Sequence, residues 1–182
     1  MRRNSEFDKT KLTQVATNKT VASAYVDAFP IEQVKFRFAE FKNAKEFIDV
    51  YLSFEDALRI TQDIKSGKLF KDMQKEPYPI TLSHGGRNEG EGVVSRSISA
   101  GIQINEQDST KTKVYLNAQK GPGKETETGA VLPAGPPTKK VSVGMSVDAF
   151  KGMFLYIEAG INAYMPYLIK DLVRVAEERR QK

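Results

Sequence analysis

Residues 139–164 read KKVSVGMSVDAFKGMFLYIEAGINAY. The first part alternates, with Val141, Val143 and Met145 on one side and Ser142 and Gly144 on the other, the pattern of a strand with one buried face. Ser146 stands where a helix N-cap belongs, and Asp148 falls in the first turn, where a negative charge meets the positive end of the helix dipole. Beyond it the period lengthens. Val147, Phe150, Met153, Phe154, Ile157, Ile161 and Tyr164 recur at three- and four-residue steps and make one helical stripe. An amphipathic strand thus turns sharply into an amphipathic helix that can fold back over the strand's apolar face.

The same unit occurs earlier, at residues 47–67, FIDVYLSFEDALRITQDIKSG. Ile48, Val50 and Leu52 alternate with Asp49 and Tyr51. Ser53 is the expected N-cap, with Asp56 three residues on as a short capping box. Phe54, Ala57, Leu58, Thr61 and Ile64 form the stripe, and Gly67 can supply a left-handed stop. Laying Ser53 on Ser146 aligns the two stretches without a gap, so that Val50 falls on Val143, Ile64 on Ile157 and Gly67 on Gly160. An internal strand–strand–helix duplication accounts for this; two independent strand–Ser–helix junctions are the alternative.

The 182 residues suffice for one domain with a core, and 28 Lys and Arg against 23 Asp and Glu leave a formal charge of +5. That charge permits a polyanionic partner without demanding one. The absence of cysteine excludes disulfides, thiolate nucleophiles and cysteine-bound zinc, and fits a cytoplasmic location. No apolar run approaches a membrane span, and the basic N-terminus lacks the apolar segment of a secretory signal.

Residues 1–24 are polar and rich in Thr and Lys, and are expected to be a mobile basic arm ahead of one domain over residues 25–182. Strands are expected at Gln33–Phe41 and Phe47–Leu52, then a helix from Phe54 to Ser66 and a charged connector over Lys68–Pro79. A short strand at Ile80–Leu82, a loop from His84 to Gly92, a long strand at Val93–Asn105 and another at Lys113–Ala118 follow. Residues 119–138, QKGPGKETETGAVLPAGPPT, read as a flexible loop. Pro166 makes the chain beyond it either a kinked continuation or a separate helix. The fold class is α+β: an antiparallel sheet with two helices on one face and a long C-terminal helix.

Catalytic patterns are weak. His84 is the only histidine, so any Ser–His–acid set would have to use it. Metal-ion catalysis could use Glu55, Asp56, Asp63, Glu89 or Glu91, but Glu55 and Asp56 are better explained by capping, and Glu89 and Glu91 lack an obvious third ligand. The glycines around His84 are not followed by the Lys-Ser/Thr of a phosphate loop. No enzyme activity, metal or cofactor is expected.

The positive signal lies on the sheet face turned away from the core. Lys35, Arg37, Tyr51, Lys113 and Tyr115 alternate with the apolar set on their own strands, Ser95, Ser97 and Ser99 lie between, and Lys139 and Lys140 stand at the mouth of the last strand. Cations interleaved with rings suit single-stranded nucleic acid, since the cations meet phosphates and the rings stack on bases. An ordinary solvated face with snorkelling Lys and amphipathic Tyr carries the same residues.

The junctions VYLSFEDALRI (50–60) and VSVGMSVDAF (141–150), with the ring-and-lysine strands QVKFRF (33–38) and KVYLNAQKG (113–121), resemble the Whirly fold and its smaller relative, the transcriptional positive-cofactor type of single-strand binder. The resemblance is one of element order over most of residues 33–165. It implies a dimer or tetramer with single-stranded DNA running over the sheet edges, as in proteins of plasmids, phages and conjugative elements. The expected function is therefore non-catalytic binding of single-stranded DNA, or RNA, in replication or DNA transfer. An adaptor that binds a protein partner through Phe154, Tyr156, Tyr164 and Tyr167 of the last helix is a second reading, and an enzyme using the Gly85–Gly92 loop a third. Met153, Leu155, Tyr156 and Tyr164 spread beyond the central stripe, so self-association through this helix is also expected.

Overall fold

Both strand–Ser–helix junctions form as their patterns require. Ser53 Oγ accepts a hydrogen bond from Asp56 N at 3.0 Å, and Ser146 Oγ accepts one from Ala149 N at 3.1 Å. The computed structural model describes residues 10–43, 46–90 and 92–180. In chain order these contain β1 (Lys11–Ala16), β2 (Thr20–Tyr25), β3 (Gln33–Glu40), β4 (Phe47–Ser53), α1 (Phe54–Lys65), α2 (Lys68–Lys75), β5 (Ile80–Asn88), β6 (Val93–Gln103), β7 (Lys113–Glu125), β8 (Val131–Pro133), β9 (Lys139–Ser146) and α3 (Val147–Arg180).

The protein is α+β, with its strands divided between two antiparallel sheets. The first runs β1-β2-β3-β4. The second runs β5-β6-β7, and β7 pairs on its far side with β9 over Lys113–Lys120 and with β8 over Gly123–Glu125. Each half therefore builds at least four strands and then a helix. The sheets turn their apolar faces into one shared core. Phe36, Phe38, Ile48 and Leu52 come from the first, Ile98, Leu116 and Val143 from the second, and Phe150, Phe154 and Ile157 from α3; all are fully buried. The Phe154 ring lies 6.1 Å from that of Phe36 and 5.2 Å from that of Phe150.

The helices α1 and α3 pack on one another at positions that the internal alignment makes equivalent. Thr61 Oγ1 donates to Ala57 O at 2.8 Å and lies 3.4 Å from Phe154 O, a residue 93 positions away, the offset that lays Ser53 on Ser146. Gly67 ends α1 with φ +75°, as expected of a left-handed stop. Its counterpart Gly160 serves close packing instead: it lies inside α3, and a Cβ there would approach Leu12 of β1 to 3.0 Å.

Several expectations need correction. Of the proposed N-terminal arm, residues 1–9 lie outside the described residues, but the rest is the β1–β2 hairpin. Thr17 Oγ1 turns it by accepting from Lys19 N and Thr20 N. Its core residues Ala22 and Ala24 are completely buried yet too small to mark an apolar face in sequence. The connector at Lys68–Pro79 begins as α2, which buries Leu69 and Met73 four residues apart. His84–Asn88 belong to β5 rather than to a loop.

The stretch at 119–138 is also ordered in large part, because β7 continues to Glu125 and β8 returns along it. Its glycines permit close backbone approach: a Cβ at Gly121 would stand 2.8 Å from Pro137 Cα, and one at Gly123 2.8 Å from Ser95 N. Of the two courses expected beyond Pro166 the chain takes the continuation: α3 runs through the proline and has 34 residues, about 51 Å at 1.5 Å per residue.

Candidate nucleic-acid interface

Period-two alternation puts Lys35, Arg37 and Tyr51 on the outer face of the first sheet, but two of the three are engaged there. Lys35 is 5% exposed; its ammonium is ion-paired with Asp27 and lies 5.0 Å from the Tyr25 ring. Arg37 makes a two-pronged contact with Asp49, Nε to Oδ1 at 2.8 Å and Nη2 to Oδ2 at 2.7 Å, which raises its pKa further above the ordinary value. Its guanidinium also covers the Phe47 ring at 3.8 Å. Tyr51 is the more open member, 36% exposed.

Lys113, Tyr115 and Lys140 lie on the outer face of the second sheet. The Tyr115 ring rests on Gly144, where a Cβ would come within 3.0 Å of it, and its hydroxyl donates to Gln103 Oε1 at 2.8 Å. Lys139 and Lys140 do not act side by side: as neighbours on β9 they point to opposite faces. Lys139 instead joins Tyr51. The seven candidate residues are thus divided between the two sheets, and only Tyr51 and Lys139 meet across them.

They meet in a cleft of about 490 Å³ between the exposed side of β4 and the far end of the second sheet. Phe47, Asp49 and Tyr51 form one wall. Arg87, Arg96, Lys120 and Lys139 form the other, with Glu46 and Glu89 between. A smaller cavity of about 330 Å³ continues past Tyr51, Arg87 and Arg96 to His84. The cations come together because of register. Arg96 pairs with Lys120, and Lys120 with Lys139, so three neighbouring strands align one cation each. These positions share the face of the apolar core but lie beyond its end, where the sheet projects past β4.

The cleft's charges are mutually constrained. Glu89 accepts from Arg87 Nε at 3.0 Å and from Lys120 Nζ at 2.9 Å, and is also ion-paired with Arg96. These cations, Lys120 foremost, hold its carboxyl down at about 2. Lys139 Nζ donates to Glu46 Oε2 at 3.0 Å and keeps that carboxyl below its usual range. Among the lining charges, Arg87, Arg96, Lys120 and Lys139 stand against Glu46, Asp49 and Glu89, which leaves the cleft net positive.

Sequence pattern does not single out Phe47, Arg87 or Arg96, and it places Lys120 in a flexible loop. Their signal is the alignment of Arg96, Lys120 and Lys139 across three strands, which is visible only once the register is known. Of the carboxylates considered for metal chemistry, Glu91 lies outside the described residues, Asp56 and Asp63 flank Arg59, and Glu89 is enclosed by cations. Among the described residues no helix is long and apolar enough to cross a membrane. No protein-family model matches the chain, and no curated protein matches it in sequence.

Proposed function

We propose that the protein binds single-stranded nucleic acid, DNA in the first instance, in the cleft between its two sheets, without catalysing a reaction. The carrying observation is the cleft itself, with the rings of Phe47 and Tyr51 facing a bank of Arg87, Arg96, Lys120 and Lys139. Rings take up bases through stacking that is tolerant of sequence, while cations follow the phosphates. The repeated order of strands and then a helix supports the resemblance to Whirly-type binders. A cytoplasmic role in replication or transfer of a plasmid, phage or mobile element belongs to the same proposal. Lys113, Tyr115 and Lys140, on the other sheet face, form a second, more open surface over which a longer strand can continue.

Self-association is part of the proposal. The later part of α3 extends beyond the core and exposes Tyr167, Ile169, Leu172 and Val173, each more than half accessible, while Tyr156 is 62% exposed nearer the core. Ile169, Leu172 and Val173 fall on one side of the helix, and a second copy packed along that side buries them. Phe154 cannot contribute, because it is wholly internal.

Fluorescence anisotropy with single- and double-stranded oligonucleotides of equal length, at two salt concentrations, tests the binding. Salt-sensitive preference for the single strand is expected; equal or absent affinity removes the proposal. Light scattering tests assembly, and a monomer mass with no oligonucleotide binding favours a protein adaptor using the exposed apolar residues of α3.

A further inference from the structure

The acidic side chain at the centre of the basic bank is the least expected feature of the cleft. Glu89 sits at the tip of the β5–β6 hairpin, where its backbone N–H bonds to Gly92 O at 2.9 Å and Gly90 takes a φ of +61°. From there its carboxylate reaches back to three cations on three strands. One oxygen, Oε1, serves both Arg87 Nε and Arg96 Nη2, and the other serves Lys120 Nζ. This leaves Arg96 Nε buried without a hydrogen-bond partner among the described residues. A guanidinium normally presents Nε and Nη2 as a fork to two oxygens of one anion, and Glu89 fills only one tine.

We infer that Arg87, Arg96 and Lys120 form a binding site for one phosphodiester group, and that the Glu89 carboxylate is its resting intramolecular occupant. The inference rests on the nucleic-acid reading of the cleft and adds to it the position of one phosphate. A phosphodiester is not tethered to the hairpin. It can therefore turn both non-bridging oxygens to the Arg96 fork, with Arg87 and Lys120 at its flanks, and satisfy the nitrogen that Glu89 leaves bare. The Phe47 and Tyr51 rings across the cleft then face the bases of the same strand. Glu89 must swing out on its hairpin for this to happen. Because its carboxyl is held at about 2, it is charged at any working pH and the competition is permanent. The contact therefore releases Glu89 in place of part of the salt counterion that an open cationic site would release.

The test is Glu89→Gln, which keeps the shape of the side chain and removes its charge. With a single-stranded oligonucleotide, the variant should bind about tenfold more tightly than the unmutated protein at low salt, the scale of one charge-assisted contact that no longer has to be broken. Its salt slope should be steeper by about 0.7. Adding Arg96→Gln to Glu89→Gln should cancel both gains. If the unmutated protein binds and Glu89→Gln binds no more tightly, the inference is wrong and Glu89 is a structural tie, while the single-strand reading stands. If neither protein binds the oligonucleotide but inorganic phosphate raises the melting temperature of Glu89→Gln by more than it raises that of the unmutated protein, the anion site stands and the single-strand reading falls. If oligonucleotide and phosphate both leave the two proteins unchanged, both readings fall. Should Glu89→Gln fail to fold, the Arg96 Nε–H resonance of the unmutated protein decides: it must shift on titration with oligonucleotide, and an unmoved resonance overturns the inference.

Discussion

Lys65 of α1 and Glu158 of α3 form an ion pair at 2.6 Å and are separated by 93 residues, the offset that superimposes one strand–Ser–helix junction on the other. Thr61 meets Phe154, and Glu46 meets Lys139, at the same separation. The two helices thus meet at positions that the internal alignment pairs, and the two strand mouths meet at the edge of the cleft.

This interface should be held by its apolar contacts far more than by its ion pair. Phe154→Ala removes a fully buried ring and is expected to cost about 3–5 kcal/mol. Lys65→Ala removes one member of a pair whose lysine is 42% exposed and is expected to cost at most about 1 kcal/mol. Urea denaturation of the two variants should show this order; comparable losses would mean that the ion pair is the main tie.

Cleft variants should separate stacking from charge. Tyr51→Ala is expected to weaken oligonucleotide binding by about 1–3 kcal/mol and leave the salt slope nearly unchanged, because stacking releases no counterions. Lys139→Ala should lower the slope by about 0.7, the loss of one phosphate contact. Lys35→Ala should behave differently from both. Its ammonium is buried against Asp27, so the loss should appear in stability, roughly 1–3 kcal/mol, with the slope unaltered. Anisotropy titrations over a range of salt check the first two, and thermal denaturation the third.

Acid should loosen the far end of the second sheet before it reaches the core. The Glu89 carboxyl is depressed from its ordinary 4.5 to about 2 by Lys120, Arg87 and Arg96. A depressed acid contributes stability in full above its unfolded pKa and loses it as pH falls through the folded one. The Glu89 contribution is therefore complete above about pH 4.5 and disappears toward pH 2. Glu89→Gln should lower the urea midpoint at neutral pH and give a flatter pH dependence across that window. Parallel curves for the two proteins would show that Glu89 adds nothing to stability.

The Gly/Pro-rich stretch should tolerate substitution poorly where its backbone is close-packed. A Cβ at Gly121 would stand 2.8 Å from Pro137 Cα and 3.2 Å from Pro136 O, both backbone atoms. Gly121→Ala should therefore cost about 1–3 kcal/mol, as overpacking does. Gly92→Ala, with open space around the new methyl, should change little. In hydrogen exchange the amides of Ala134 and Thr138 should be protected, since they bond to Pro122 O and Lys120 O at 2.9 Å. Rapid exchange at both would restore the picture of a flexible loop.

The elements with a strong period were legible in the chain itself. The alternation of Val141, Val143 and Met145, the capping Ser146 and the stripe from Phe150 to Ile161 fix β9 and α3 through local propensity and solvent exclusion alone, and the same holds for β4 and α1. The β1–β2 hairpin was not legible, because Ala22 and Ala24 are buried only by virtue of what packs over them. Nor was the order within 119–138, where glycine serves close approach and not freedom. At the candidate site, local pattern could say which face of a strand Lys35, Tyr51, Lys113 and Tyr115 occupy. It could not say that Asp27 and Asp49 would occupy Lys35 and Arg37, since those partners are set by how β3 pairs with β2 and β4. The cleft is decided wholly by tertiary structure: Arg96, Lys120 and Lys139 become neighbours through inter-strand register, and they face Phe47 and Tyr51 because one sheet extends past the edge of the other.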